Sequence, residues 1–295
     1  MNPLKTTLLS AYYYGSLPYR AWQARVCSRR GLSPVMILFY HRVADTCPND
    51  WTLSTQQFAD HIHWLQAHFD LISLHEAQQR IRSGANHRAA VAITFDDGYA
   101  ENSATALPLL VRYQIPATYF VSTDNVLEGK PFPHDVKAGT PLLPNTPNQL
   151  KALLAAGIEI GAHSRTHADM GSIRNHDLLV DEMLTSRDEL EDAIGAKIRY
   201  FAFPYGQVQN MSSEAFALAK KAGYEGVCSA YGGYNFPGDD GFHLSRIHGD
   251  PEMMRLKNWL TVDPRKLKIA REIIWPTCET PVEQAVESSG VEVMP

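Results

Sequence analysis

Several large protein classes are excluded by what this sequence lacks. It contains no run of about 18 apolar residues, so no membrane-spanning helix is expected. It has no long basic run and no interleaving of aromatic with basic positions, and its net charge is −5, so nucleic acid is not an expected partner. Its four cysteines, Cys27, Cys47, Cys228 and Cys278, stand far apart and form no CxxC pair. That spacing argues against a disulfide scaffold and a cysteine-built zinc site, and reduced thiols point to the cytoplasm. Internal repeats and low-complexity linkers are also missing. In the first residues Thr6, Thr7, Ser10, Gly15 and Pro18 break up any apolar core of the kind a signal peptide requires. The expected location is therefore cytoplasmic, with the inner face of the membrane open to it.

What is present is a 44% hydrophobic chain of 295 residues, enough for one large core or two modest ones. Its opening is aromatic and then basic: Tyr12, Tyr13, Tyr14, Tyr19 and Trp22, with Arg20, Arg25, Arg29 and Arg30. Residues 1–30 could make a peripheral contact with an anionic leaflet. The plainer alternative is one or two helices packed on the outside of a domain.

From residue 33 short apolar runs alternate with segments of helical period. The runs fall at 35–41, 91–97, 117–123, 158–164, 198–204, 224–230 and 242–248, with a weaker one at 70–74. Between them, 54–69 opens with a Ser-x-x-Gln capping box, and 146–157, 175–195 and 212–223 each end at a glycine. Strand, helix, strand at this spacing predicts a parallel sheet, and about seven strands favour closure into a barrel over an open doubly wound sheet. Residues 124–146 are expected to form a long Pro- and Gly-containing loop. The expected organisation is a helical extension (1–33), a barrel (34–250), and C-terminal helices with a poorly ordered tail (251–295).

Polar residues gather at the C-terminal ends of the runs: His41, Asp96 and Asp97, His163, Pro204-Tyr205-Gly206, and His248. That face carries the active sites of parallel α/β barrels. In "HSRTH", His163 and His167 are four residues apart, and a helical turn would point both the same way. With Asp97 they make three protein ligands and leave a fourth position open, the pattern of a catalytic zinc. Two histidines and a carboxylate also suit an iron(II) oxygenase, but the carboxylate-first order favours hydrolysis. One aspartate can then bind the metal while the other takes a proton from its water.

At this point the sequence resembles the polysaccharide deacetylases, carbohydrate esterase family 4 with the NodB-homology domain. The resemblance covers roughly residues 35–250 and rests on "LFYHRV", "AITFDDGY", "IPATYFV", "GIEIGAHSRTH" and "FAFPYG". It implies a distorted (β/α) barrel, often of seven strands, and metal-dependent removal of an N-acyl group from an amino sugar. The substrate would be a cell-surface polysaccharide or its lipid-linked precursor. A deformylase or an amidase on another amide is the alternative, and a catalytically silent glycan-binding domain a third. Carried over, Asp97, His163 and His167 are the metal ligands, with zinc preferred over cobalt, nickel or iron. Asp96 is the general base, and the Tyr205 backbone N–H the oxyanion donor.

Two positions depart from the family pattern. Where many members carry an arginine that holds the base, this chain has Ala202; Arg246 in "LSRIHGD" could supply that charge. Members with Leu-His-Asp use its histidine as general acid. Here "IHGD" makes His248 an approximate match, with His41 as its competitor.

Overall fold

The computed structural model describes residues 3–267. The expected tail, most of the second C-terminal helix and Cys278 lie outside the described residues. The parallel strands are β1 (Val35–Tyr40), β2 (Ala90–Phe95), β3 (Ala117–Val121), β4 (Glu159–Ala162), β5 (Tyr200–Ala202), β6 (Gly226–Cys228), β7 (His243–Leu244) and β8 (Ile247–His248). Their order is β7-β6-β5-β4-β3-β2-β1-β8, and the short strand Asp70–Ile72 adds to the N-terminal half of β2. The two ends of this sheet are consecutive in sequence. His243 and Leu244 pair with β6, Ile247 and His248 pair with β1, and only Ser245 and Arg246 intervene. One kinked segment therefore joins both sheet edges and curls the sheet into a distorted barrel with seven strand positions. Asn235 fills the seam: its side chain donates to the carbonyls of Val35 and Ser245 and accepts from the Ser245 N–H.

Strand alternation divides the apolar residues into two cores. Met36, Leu38, Tyr40, Val91, Ile93 and Phe95 face outward, under helices such as Thr55–His68 and Ala106–Arg112. Val35, Ile37, Ala90, Ala92, Phe120, Tyr200, Ala202, Cys228 and Leu244 fill the lumen. Small residues leave room for the larger ones there; a Cβ on Gly161 would meet the Phe120 ring at 2.4 Å. Helix Leu74–Arg82 closes the bottom of the lumen, where buried Gln78 donates to the Glu225 and Gly241 carbonyls. The top of the lumen is left for polar groups.

The helix over 54–69 is observed as Thr55–His68, with both halves of its Ser54–Gln57 capping box formed. Two expectations need correction. Residues 175–195 are not one regular helix, because a π-helical turn, Asp181–Thr185, interrupts it. Residues 124–146 are not a bare loop, because they carry short helices Thr123–Glu128 and Pro133–Lys137 and a small apolar cluster of Tyr99, Phe132 and Leu142. The N-terminal segment is one helix, Pro3–Arg30, running along the outside of the barrel. No helix among the described residues is long and apolar enough to cross a membrane.

Candidate active site and metal centre

The strand β2 ends in a tight turn. The Gly98 N–H donates to the Asp96 carbonyl at 3.0 Å, and Asp97 at its tip has φ +74°. A left-handed residue there ends the strict alternation of the strand, so adjacent carboxylates can serve one cavity. The same device recurs after β5, where Gly206 N–H bonds the Pro204 carbonyl and Tyr205 has φ +61°. Seven non-glycine residues have positive φ among the described residues, and Asp97, Ser164, His167 and Tyr205 account for four of them. Such strain concentrates where surrounding structure holds a working geometry.

Those last residues correct the helical reading of "HSRTH". The segment is a loop beyond β4, and left-handed Ser164 (φ +63°) and His167 (φ +59°) rule out a helical turn. Its shape is imposed from outside. The buried Glu182 carboxylate accepts from the Arg165 N–H at 2.9 Å, the Thr166 N–H at 3.0 Å and the Thr166 hydroxyl at 2.6 Å. Glu182 sits on the π-helical turn, and such turns are frequent at functional sites.

The loop brings His163 and His167 to Asp97. Both Nε2 atoms approach Asp97 Oδ1, at 3.5 Å and 3.3 Å, and one donor atom from each residue lies within 4.8 Å of the others. His163 Nδ1 lies 2.8 Å from the Ala202 carbonyl. A proton on Nδ1 fits that acceptor and leaves Nε2 with its lone pair toward the centre, the usual support of a metal-bound histidine. Asp97 is buried, and its Oδ1 has no hydrogen-bond donor among the described residues. Burial alone would raise this carboxyl, but the two imidazoles outweigh it and hold Asp97 well below the usual carboxylate range. A buried, ionised oxygen set between two imidazole nitrogens, with no hydrogen-bond donor among the described residues, fits a divalent cation.

Asp96 is the opposite case. Arg246 grips it in a two-pronged ion pair, Nη1–Oδ1 2.6 Å and Nη2–Oδ2 2.9 Å, with both side chains buried. The guanidinium also donates to the Ser229 carbonyl and Thr94 Oγ1, and lies over the Phe39 and Phe120 rings at 4.9 and 5.4 Å. Burial pushes Asp96 up, but the charge of Arg246 brings it below its ordinary value. The position of Ala202 is thus filled in two ways: Arg246 from the neighbouring kink steadies Asp96, and the Ala202 carbonyl orients His163.

The other expected residues line the same rim. His41 and His248 stand 6.1 Å apart between ring centroids, and Phe39 packs on both. Burial lowers His41, and burial lowers His248 to about 4, so both imidazoles are neutral at pH 7. Tyr205 is exposed, and its ring meets His167 edge-on at 4.9 Å. Phe132, from the segment expected as loop, meets the same His167 at 5.7 Å. The reading of the sequence missed Glu182 and Phe132. Neither belongs to a motif, and the only trace was a glutamate at an inward position of a helix.

Comparison with known proteins converges on one family. The polysaccharide deacetylase family model matches residues 83–227. YxkH of Bacillus subtilis, whose name places it with the polysaccharide deacetylases, is 26% identical over 221 residues, covering 74% of this chain and 72% of that protein. The poly-beta-1,6-N-acetyl-D-glucosamine N-deacetylase of Staphylococcus aureus is 24% identical over 207 residues, covering 67% of this chain and 68% of its own. The structures of IcaB from Ammonifex degensii and of the Streptococcus pyogenes deacetylase PplD both superpose with TM-score 0.65 at 22% and 20% identity. Each covers 78% of this chain and 98% of the solved one, which establishes the shared fold.

Proposed function

We propose, for a chain that belongs to the polysaccharide deacetylase family, metal-dependent hydrolysis of the N-acetyl group of an amino sugar. The substrate is an acetamido sugar of a cell-surface polysaccharide or of its lipid-linked precursor. The observation that carries this reading is the undonated Asp97 Oδ1 between His163 and His167, beside an Asp96 held by Arg246. The relative named for poly-N-acetylglucosamine deacetylation supports the sugar. Action on a precursor at the cytoplasmic face is part of the proposal, and the free Cys27, Cys47 and Cys228 support that compartment.

Asp97, His163 and His167 would hold the divalent ion, zinc by preference. Such an ion supplies a water of lowered pKa and a positive charge for the acetyl oxygen. Asp96 accepts the proton of the attacking water, and Arg246 keeps its two oxygens fixed without touching the reacting atoms. The Tyr205 N–H, which has no acceptor among the described residues, donates to the oxygen on which negative charge develops. The departing amine needs a proton from the rim. His248 and His41 are neutral there, so whichever serves must first receive a proton before delivering it.

Acetate release from N-acetylglucosamine oligomers tests the reading, with small formamides and acetamides run in parallel. Chelator should abolish release and zinc restore it. Asp96→Asn should keep the bound metal and lose about 10²–10⁴-fold in rate. Release insensitive to chelator, or preference for the small amides, would overturn it.

A further inference from the structure

The N-terminal helix presents two different sides. Its inner side is anchored. Buried Arg20 donates to the Asn258 carbonyl and Oδ1 and to Thr261 Oγ1, at 2.7 to 2.9 Å, and the Tyr12 hydroxyl donates to Asp263. Its far end is pinned where β2 begins, by Ser28 and His87, each reaching the other's carbonyl. The helix therefore stays on the barrel side as a fixed, folded element.

Its outer side carries large apolar side chains that no described residue covers. Leu8 is 62% exposed, Tyr14 62%, Tyr19 53% and Trp22 59%. Leu8, Gly15, Trp22 and Arg29 recur every seven residues and form one exposed row, flanked by Tyr14 and Tyr19. Residues 1–31 hold Lys5, Arg20, Arg25, Arg29 and Arg30 and no Asp or Glu, in a chain whose net charge is −5. Lys5, Arg25, Arg29 and Arg30 are exposed. The helix thus concentrates positive charge that the rest of the chain more than reverses. Exposed Trp and Tyr favour the water–lipid boundary, and arginines beside them favour anionic headgroups.

We infer that the outer side of helix Pro3–Arg30 is a docking surface for an anionic lipid bilayer, with Leu8, Tyr14, Tyr19 and Trp22 seated at headgroup depth and Arg25 and Arg29 on the phosphates. Charge decides between a bilayer and a second copy of this chain, because a twofold contact through this side would bring like charges together. The inference stands apart from the deacetylase reading, since none of Asp97, His163 and His167 lies on this helix.

Sedimentation of the full-length protein with phosphatidylcholine vesicles, with and without 30% phosphatidylserine, tests it. Binding should be at least tenfold tighter to the anionic vesicles and weaken severalfold in 0.5 M salt. The Leu8→Glu, Trp22→Glu double variant should lose at least tenfold in vesicle binding. Its release of acetate from soluble oligomers and its circular dichroism should stay at wild-type values, which separates lost docking from lost folding. Arg25→Gln with Arg29→Gln should reduce the anionic preference alone. Equal binding to both vesicle types, no binding to either, or a wild-type dimer in light scattering that the Leu8→Glu, Trp22→Glu variant dissolves would overturn the inference.

Discussion

Asp96 and Asp97 are neighbours at the end of one strand, both buried, and their surroundings are opposite. Both oxygens of Asp96 rest on a guanidinium that is itself buried and stacked on aromatic rings. Asp97 faces two imidazoles, and its Oδ1 receives no hydrogen bond from the described residues. Burial asks the same of each, since an ionised carboxylate out of water must be paired. One half of the rim is closed by an ion pair, and the other is left open between two imidazoles. Under the proposed function that difference marks which carboxylate would hold a cation and which would stay available to take a proton.

The largest expected effect breaks the open half. Asp97→Asn should remove bound metal and lower kcat/KM by about 10³-fold or more, the few kcal/mol that a metal supplies to developing charge. It should also cost stability in the chelator-treated protein, because the two imidazoles that hold Asp97 ionised lose the charge they pair with, and the metal-free variant should gain nothing from zinc. A metal-free variant that melts above metal-free wild type would show that the histidines do not compensate the Asp97 charge.

The closed half can be broken too. Arg246→Gln strands the Asp96 charge in the lumen and should cost about 3–5 kcal/mol of stability, as breaking a buried pair does. Adding Asp96→Asn removes that stranded charge and should recover much of the loss, although activity stays low. Urea unfolding of the two single variants and the double variant measures the coupling. Additive losses would mean that the two groups do not act as a pair.

How far each half could be read beforehand follows from how local its signal is. Asp97 and the two histidines sit in short motifs at strand ends, so their type and order were enough to bring them together. The parallel strands were legible for the same reason, as apolar runs at even spacing. Arg246 was legible only against the family pattern, as the charge that could stand in for the arginine missing at Ala202, since its grip on Asp96 spans 150 positions of sequence. Glu182 left only the faint trace of a glutamate at an inward helix position, because three donors on one loop converge on it only after the chain has folded. The helical reading of "HSRTH" failed because those tertiary bonds hold Ser164 and His167 in left-handed conformations that local spacing does not disclose.

A third response to burial is to stay uncharged, and it predicts the smallest effect. His61 is buried beside the Tyr40 hydroxyl, its Nε2 has no partner among the described residues, and burial lowers it to about 4 against the pull of Asp250 and Asp60. Its folded pKa lies below its unfolded value of about 6.5, so between those values the unfolded chain binds more protons. Stability is therefore full above pH 6.5 and drains as pH falls toward 4. From pH 7 to pH 5 this one group should cost about 2 kcal/mol, and His243 and His248, also lowered to about 4, act with the same sign. In His61→Gln the loss between those pH values should shrink by about that amount, read from urea midpoints at each pH. An unchanged pH slope would place the titrating groups elsewhere and leave His61 already charged in the folded protein. The carboxylate pair would then no longer be set apart from the histidines that surround it.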